Sequence, residues 1–290
     1  IHDNQLPSFQ KYKVVQKENR YFGGYMDDAE LPNPHSTAAF IGKACMLWSC
    51  KESIFFNQTN LILEIEEALS SLLKMQHSDG TIDLLSTNFH STPDTAFVLE
   101  NIIPAYRFIS ARNNPSTTKI KNLLKQFIIQ AGEALTVGGI HTPNHRWVVS
   151  ASLTRINELF PNEKYIKRIN QWLAEHIDLD PDGQYTEKST NGYSPIVNRS
   201  LITMAEGLNK PELLDAVMKN LKMTLYYVHP NGEVVTEASN RQDKGTIGNM
   251  HKYYHGYRFM ALRYKDQTLA SMCRTIENTS TREQLAGFLD

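Results

Sequence analysis

The chain has 290 residues, of which 41% are hydrophobic and 21% charged. That length lets a folded chain bury about three quarters of its unfolded surface, which excludes a disordered or fibrous protein. Thirty Lys and Arg stand against 31 Asp and Glu, a net charge of -1, so no global field would draw the molecule to nucleic acid or an anionic membrane.

In chain order, residues 1–35 read as an irregular N-terminal segment. The chain begins at Ile1 without Met or a basic and apolar leader, so an export signal is expected to have been removed, giving a periplasmic or secreted protein. Amphipathic helices are predicted over Thr37 to Phe56, Leu61 to Met75, Asp94 to Ala111, Thr117 to Leu135 and Pro143 to Leu159. Further ones follow over Glu163 to Ile177, Ser194 to Gly207, Pro211 to Val228 and Met250 to Arg263, with a weaker one in Thr281 to Leu289. Starts such as Thr142-Pro143 place Pro in the first turn. No run reaches the roughly 20 apolar residues of a membrane helix, so no membrane insertion is expected. The three cysteines are expected to be buried thiols.

The joints alternate between two kinds. Asn113-Asn114-Pro115, Phe160-Pro161-Asn162 and Leu208 to Pro211 are short and turn-like, whereas the joints at Gly80, Gly139, Gly183 and Gly232 are long and polar. Those glycines are 59, 44 and 49 residues apart, the length of a helical hairpin plus its loops. A chain of antiparallel hairpins puts every long loop on one rim. Varying periods and one elaborated loop set favour an all-α fold in a single domain, an incomplete (α/α) toroid of about five to six helical hairpins.

The long loops concentrate polar and aromatic groups. They carry Asn88 and His90, then Asn144-His145-Arg146-Trp147, then Tyr185, Glu187 and Tyr193, and finally Arg241 leading to His251 and His255. Rings that stack on aromatic faces and hydroxyls that take polar partners make a carbohydrate the natural ligand for such a set. Asn144 to Trp147 occupy a helix's first turn, where free N–H groups favour an anion or a developing enolate. The pairs His141/His145 and His251/His255 have metal-pair spacing, but neither has the Glu of H-E-x-x-H, and no metal is expected.

Asn144-His145, together with Asp182-Gly183, Tyr185, Glu187 and Tyr193 in a later Gly-rich loop, resembles the heparinase II/III-like and alginate-lyase-like polysaccharide lyases over roughly Thr37 to Tyr264. The resemblance implies a toroidal catalytic domain that needs no cofactor and cleaves a uronic-acid-containing glycan by β-elimination. It implies that Asn144 binds the uronate carboxylate, His145 is base or neutraliser, and Tyr193 gives a proton to the leaving oxygen. The expected partner is an acidic poly- or oligosaccharide, bound also by Arg146, Trp147, His90, Asn88, Tyr185, Glu187, Arg241, His251 and His255. Those families usually continue into a β-sandwich, and no strand-rich region follows here.

Three alternatives use the same rim. A glycoside hydrolase of the unsaturated glucuronyl type needs two carboxyls about 5–10 Å apart, for which Asp94, Glu187, Glu237 and Asp243 are candidates. A sugar epimerase would use paired histidines as its two bases. A helical glycan-binding protein would use the rim without chemistry.

Overall fold

The computed structural model describes residues 2–112 and 114–287, and its regular structure is overwhelmingly helical. In chain order come α1 (His2–Gln5), α2 (Pro34–Ser49), α3 (Thr59–Met75), β1 (Ile82–Leu84), β2 (Asn88–Ser91), α4 (Thr92–Arg112), α5 (Thr118–Val137), α6 (Pro143–Leu159) and α7 (Glu163–Ala174). Then follow α8 (Tyr193–Gly207), α9 (Leu213–Thr224), β3 (Glu233–Val234), β4 (Gly248–Asn249), α10 (Tyr254–Tyr264), α11 (Gln267–Thr279) and α12 (Arg282–Ala286). Short 3-10 turns at Leu6–Tyr12, Pro115–Thr117, Leu225–Tyr227 and Met250–Tyr253 join them. Asn113, in one expected joint, and Leu289, at the end of the last expected helix, lie outside the described residues.

The chain forms two compact units: residues 1–139 with 155–165, and residues 140–154 with 166–290. In the first unit α2, α3, α4 and α5 pack on one another around Ile41, Trp48, Leu69, Leu99 and Phe127. The N-terminal segment is not irregular throughout. It contributes α1, a 3-10 turn and the buried Tyr25, which stacks on Phe40 at 4.2 Å between ring centroids while Phe9 meets both rings edge-on. In the second unit α8 pairs with α9 and α10 with α11, over a core that includes Val197, Leu201, Val217, Leu221 and Tyr257.

Helix limits follow the capping chemistry. Asn33 accepts the N–H groups of His35 and Ser36, so α2 begins before Thr37. It ends at Ser49, short of the expected Phe56, because the Asp3 carboxylate takes the Ser53 hydroxyl at 2.6 Å and the Ile54 N–H at 3.2 Å. Those donors then serve a turn instead of a helix. Helix α11 is additional to the sequence-predicted set. Asp266 caps it, and Leu269, Cys273 and Ile276 are buried at i, i+4 and i+7 along its 13 residues, a helical stripe present in the sequence that the predicted set passes over. The four strands have two to four residues each, below the length at which alternation is readable. Cys45 and Cys273 are buried, whereas Cys50 is half-buried and its thiol donates to Glu52.

Three of the four glycine-marked joints share one turn. The N–H groups of His77, Asp180 and His229 each donate to the carbonyl four residues on, at Thr81, Gln184 and Glu233, all at 2.8 Å. The N–H groups of Gly80, Gly183 and Gly232 close the turn onto His77, Asp180 and His229, and these glycines have φ of 88°, 103° and 84°. Left-handed φ favours glycine, and space demands it too. A Cβ on Gly80 would lie 2.0 Å from the Gln130 carbonyl of α5, and one on Gly183 would lie 2.8 Å from the Lys219 carbonyl of α9. Gly139 is different: its φ is not positive and a Cβ there would meet nothing within 4 Å.

Candidate active site

The second unit assembles a polar cluster from the start of α6, the loop 182–193, the start of α8 and the segment 237–249. Pro143 fixes the first turn of α6, and Asn144 behind it is 1% exposed. The Asn144 side-chain N–H groups go to Glu187 Oε2 at 2.7 Å and Thr142 Oγ1 at 3.0 Å, and its backbone N–H also reaches Glu187 Oε2 at 3.3 Å. A carboxylate accepts only, so the amide nitrogen must face Glu187. Asn144 Oδ1 is left as a buried acceptor with no hydrogen-bond partner.

The other Glu187 oxygen accepts from Arg241 Nη1 at 2.7 Å. Arg241 also donates from Nη2 to the Tyr193 hydroxyl oxygen at 3.3 Å and from Nε to Gln242 Oε1 at 3.4 Å. Its guanidinium lies 4.5 Å from the centroid of the Tyr193 ring. The Tyr193 hydroxyl itself donates to Gln242 Oε1 at 3.3 Å. Of the five guanidinium N–H groups, three are committed here, leaving two for a ligand carboxylate. Burial pushes the Glu187 carboxyl above its ordinary range, and the pull of Asn144 and Arg241 offsets that only in part.

The loop that carries these groups is held from behind. Tyr185, 2% exposed, donates to Asn198 Oδ1 at 2.8 Å; Asn198 donates to Asn220, and Asn220 to the Gly183 carbonyl. This ladder commits the Tyr185 hydroxyl to the interior, away from the ligand-binding role expected of it. Asp243 Oδ2 accepts the N–H groups of Asn191 and Gly192 at 3.1 and 3.2 Å, and the Ser189 hydroxyl accepts the Tyr193 N–H at 2.9 Å. The entry to α8 is thereby fixed with the Tyr193 ring beneath Arg241.

Arg146 and Trp147 also differ from expectation. Successive helix residues are turned by about 100°, so residues of one first turn share an end but not a face. Arg146, two positions past Asn144, binds Asp178 at 2.9 Å and Glu175 at 3.2 Å, while the fully buried Trp147 donates its indole N–H to Asp178 at 3.2 Å. Both are tied into the wall behind the cluster. His145 is half-buried in the first turn of α6, its N–H donated to the Thr142 carbonyl. His251 meets the Asn249 side chain, and burial followed by the charge of Lys252 lowers its pKa. His255 is half-buried with its ring stacked toward Phe259.

Asn88 and His90 belong to the first unit. There Asn88 begins β2, and His90, at φ 51°, binds Asp79 at 2.7 Å and stacks on His77 with 3.9 Å between centroids. His77 binds Asp83 at 2.7 Å. Gln242 joins the cluster without having been singled out in the sequence, where its only distinction is to follow Arg241. Among the described residues no group of three His, Cys, Asp or Glu side chains forms a metal-holding set, and no helix is long and apolar enough to cross a membrane.

No protein-family model matches this chain, and no curated protein matches it in sequence. Among solved structures, the crystal structure of a sugar epimerase from a ruminal bacterium aligns with a TM-score of 0.55 at 14% identity, covering 96% of this chain and 86% of that one. At that identity the likeness concerns the fold. It bears out the all-helical α/α-toroid class expected from the hairpin repeat.

Proposed function

We propose that the protein is a carbohydrate-active enzyme, a lyase that cleaves a uronic-acid-containing glycan by β-elimination at the Tyr193 cluster. The observation that carries this reading is the Glu187–Arg241–Tyr193 arrangement, in which a guanidinium fixed by a buried carboxylate lies over a phenol and donates to its oxygen. Removing the C5 proton of a uronate leaves an enolate whose carboxylate must be masked. The two uncommitted N–H groups of Arg241 suit that task. Asn144 acts through Glu187: both of its amide N–H groups are committed, so its part is to hold the carboxylate that holds Arg241.

In the proposed cycle His145 takes the C5 proton, the C4–O bond breaks as the C4–C5 double bond forms, and the Tyr193 hydroxyl gives its proton to the leaving oxygen. Arg241 stabilises the charge left on the phenolic oxygen through its N–H donor. The proton on His145 returns through solvent to regenerate the phenol. The four carboxyls that a hydrolase would draw on each accept hydrogen bonds. Glu187 is held by Asn144 and Arg241, Asp243 by two backbone N–H groups, Glu237 by the Thr236 N–H at 3.0 Å, and Asp94 by the Ser91 hydroxyl.

Epimerisation is a second reading, favoured by the sugar epimerase whose structure this chain resembles. When it runs by proton transfer, with a base such as His145 or His255, it too begins by moving a proton from carbon. Incubation with a panel of polyuronides in heavy water separates the two: the lyase produces the ultraviolet absorbance of an unsaturated uronide, and an epimerase incorporates deuterium without chain cleavage. A panel that yields neither product would sink both.

A further inference from the structure

The loop 182–193 has a second side. Glu187 turns inward to Asn144 and Arg241, while the next residue, Lys188, is exposed with a left-handed φ of 50° and lines an open cavity of about 530 Å³. Lys219, Lys222, Tyr226, Tyr227, Asp180 and Asp182 are among its other lining residues. Lys219 and Lys222 are one turn apart on α9 and so share a face, and Tyr226 follows where α9 passes into its 3-10 turn. The Tyr226 side chain is 88% exposed. Its ring is therefore open to a ligand that also meets the three ammonium groups.

The lysines are poorly neutralised. Neither Lys188 nor Lys219 forms an ion pair among the described residues, and Lys222 stands 3.9 Å from Asp266, at the limit of one. The Asp180 carboxylate is held by the N–H groups of Gly183 and Gln184, both at 2.8 Å. Asp182 is exposed.

We propose that this cavity is a non-catalytic binding site for an anionic glycan chain, one that carries carboxylate or sulfate groups on its pyranose rings. The ammonium groups meet the anions, the Tyr226 ring offers a face to a pyranose, and the two aspartates accept hydroxyl protons. The aspartates favour a glycan over a nucleic acid. They would repel an unbroken row of phosphates, whereas a sugar supplies hydroxyl donors between its charges, and the chain as a whole, at net charge -1, supplies no wider basic field. The proposal is independent of the reaction assigned to Tyr193, because binding is also read in the Tyr193→Phe variant, where turnover is removed.

Affinity electrophoresis through native gels containing polygalacturonate, neutral dextran or single-stranded DNA tests it. Wild-type protein and the Tyr193→Phe variant are expected to be retarded alike by polygalacturonate and by neither other polymer. Lys219→Ala/Lys222→Ala should weaken that retardation about tenfold, Lys219→Arg/Lys222→Arg should restore it, and Tyr226→Ala should weaken it about fivefold. All three side chains are exposed, and an unchanged thermal transition verifies the fold of each variant. Absence of retardation, equal retardation of wild type and the double alanine variant, loss in Tyr193→Phe, or stronger retardation by DNA would each overturn the proposal.

Discussion

The loops 77–91 and 182–193 open with the same glycine-closed turn, yet they put their charges to opposite uses. In the first, Asp79 and Asp83 pair with His90 and His77 from the same loop, and the imidazoles stack on each other. The two carboxylates and two imidazoles there are satisfied by near neighbours. In the second, Glu187 is buried and draws its partners from elsewhere, Asn144 from 43 residues before it and Arg241 from 54 residues after it. A loop dense in His and Asp can thus satisfy its charges without drawing on other elements. The difference is whether its carboxylate recruits groups from other elements or is consumed at home.

Replacing Tyr193 by Phe is the sharpest way to break this contrast. The substitution removes one exposed hydroxyl that contacts Gln242 and Arg241, so the thermal transition should stay in place. Turnover, followed by the absorbance of the unsaturated product, should fall about a thousandfold. Retained turnover would remove Tyr193 from the chemistry. Glu187→Ala comes next. It leaves the largely buried Arg241 without its anion and should cost about 3 kcal/mol in chemical denaturation, with activity lost as well. An equivalent loss on Asp83→Ala would erase the distinction drawn between the two loops.

The shared turn gives the third test. Gly80→Ala sets a Cβ against the Gln130 carbonyl and should destabilise by about 3 kcal/mol, while Gly183→Ala, whose clash is milder, should cost about 2 kcal/mol. Gly139→Ala should be nearly silent, since nothing approaches it.

The smallest effects are in the pH profile, where the two loops should slope in opposite directions. Burial alone would raise Asp79, but hydrogen bonds from Thr81 and His90 overcome it and hold the carboxyl at about 2. Its contribution is therefore present above the ordinary Asp range and is lost as pH falls toward that value. Glu187 is raised, so the folded state holds its proton more tightly than the unfolded chain does. Stability from this group declines as pH rises from the ordinary Glu range through the raised value. Asp79→Asn should flatten the acid limb and Glu187→Gln the limb above it, as read from denaturation midpoints across pH.

Much of the helical frame was legible because it depends on local pattern. The limits of α6, Pro143 to Leu159, are those predicted, since Thr142-Pro143 marks its start and its apolar positions keep helical spacing. Helix α11 lies outside the predicted set although Leu269, Cys273 and Ile276 keep the same i, i+4, i+7 spacing, so its pattern too was local and readable. The site was legible only as an inventory. Asn144, Glu187, Tyr193 and Arg241 stood out by type and loop position, but their joining through one carboxylate spans up to 54 residues and depends on the fold. Arg146 and Trp147 were placed with them by adjacency in sequence. Helical rotation then carried both toward Asp178.

The glycine-closed turn also separates what may change from what may not. At Gly80 and Gly183 it grips the backbone carbonyl of a neighbouring helix, and at Gly232 it lies against the Thr279 side chain of α11. None of these contacts involves the residues that follow in the loop. Beyond each glycine, exposed residues such as Thr186 and Lys188 can change while the hairpin behind keeps its seat, whereas Ile82 and Tyr185, buried against the core, cannot.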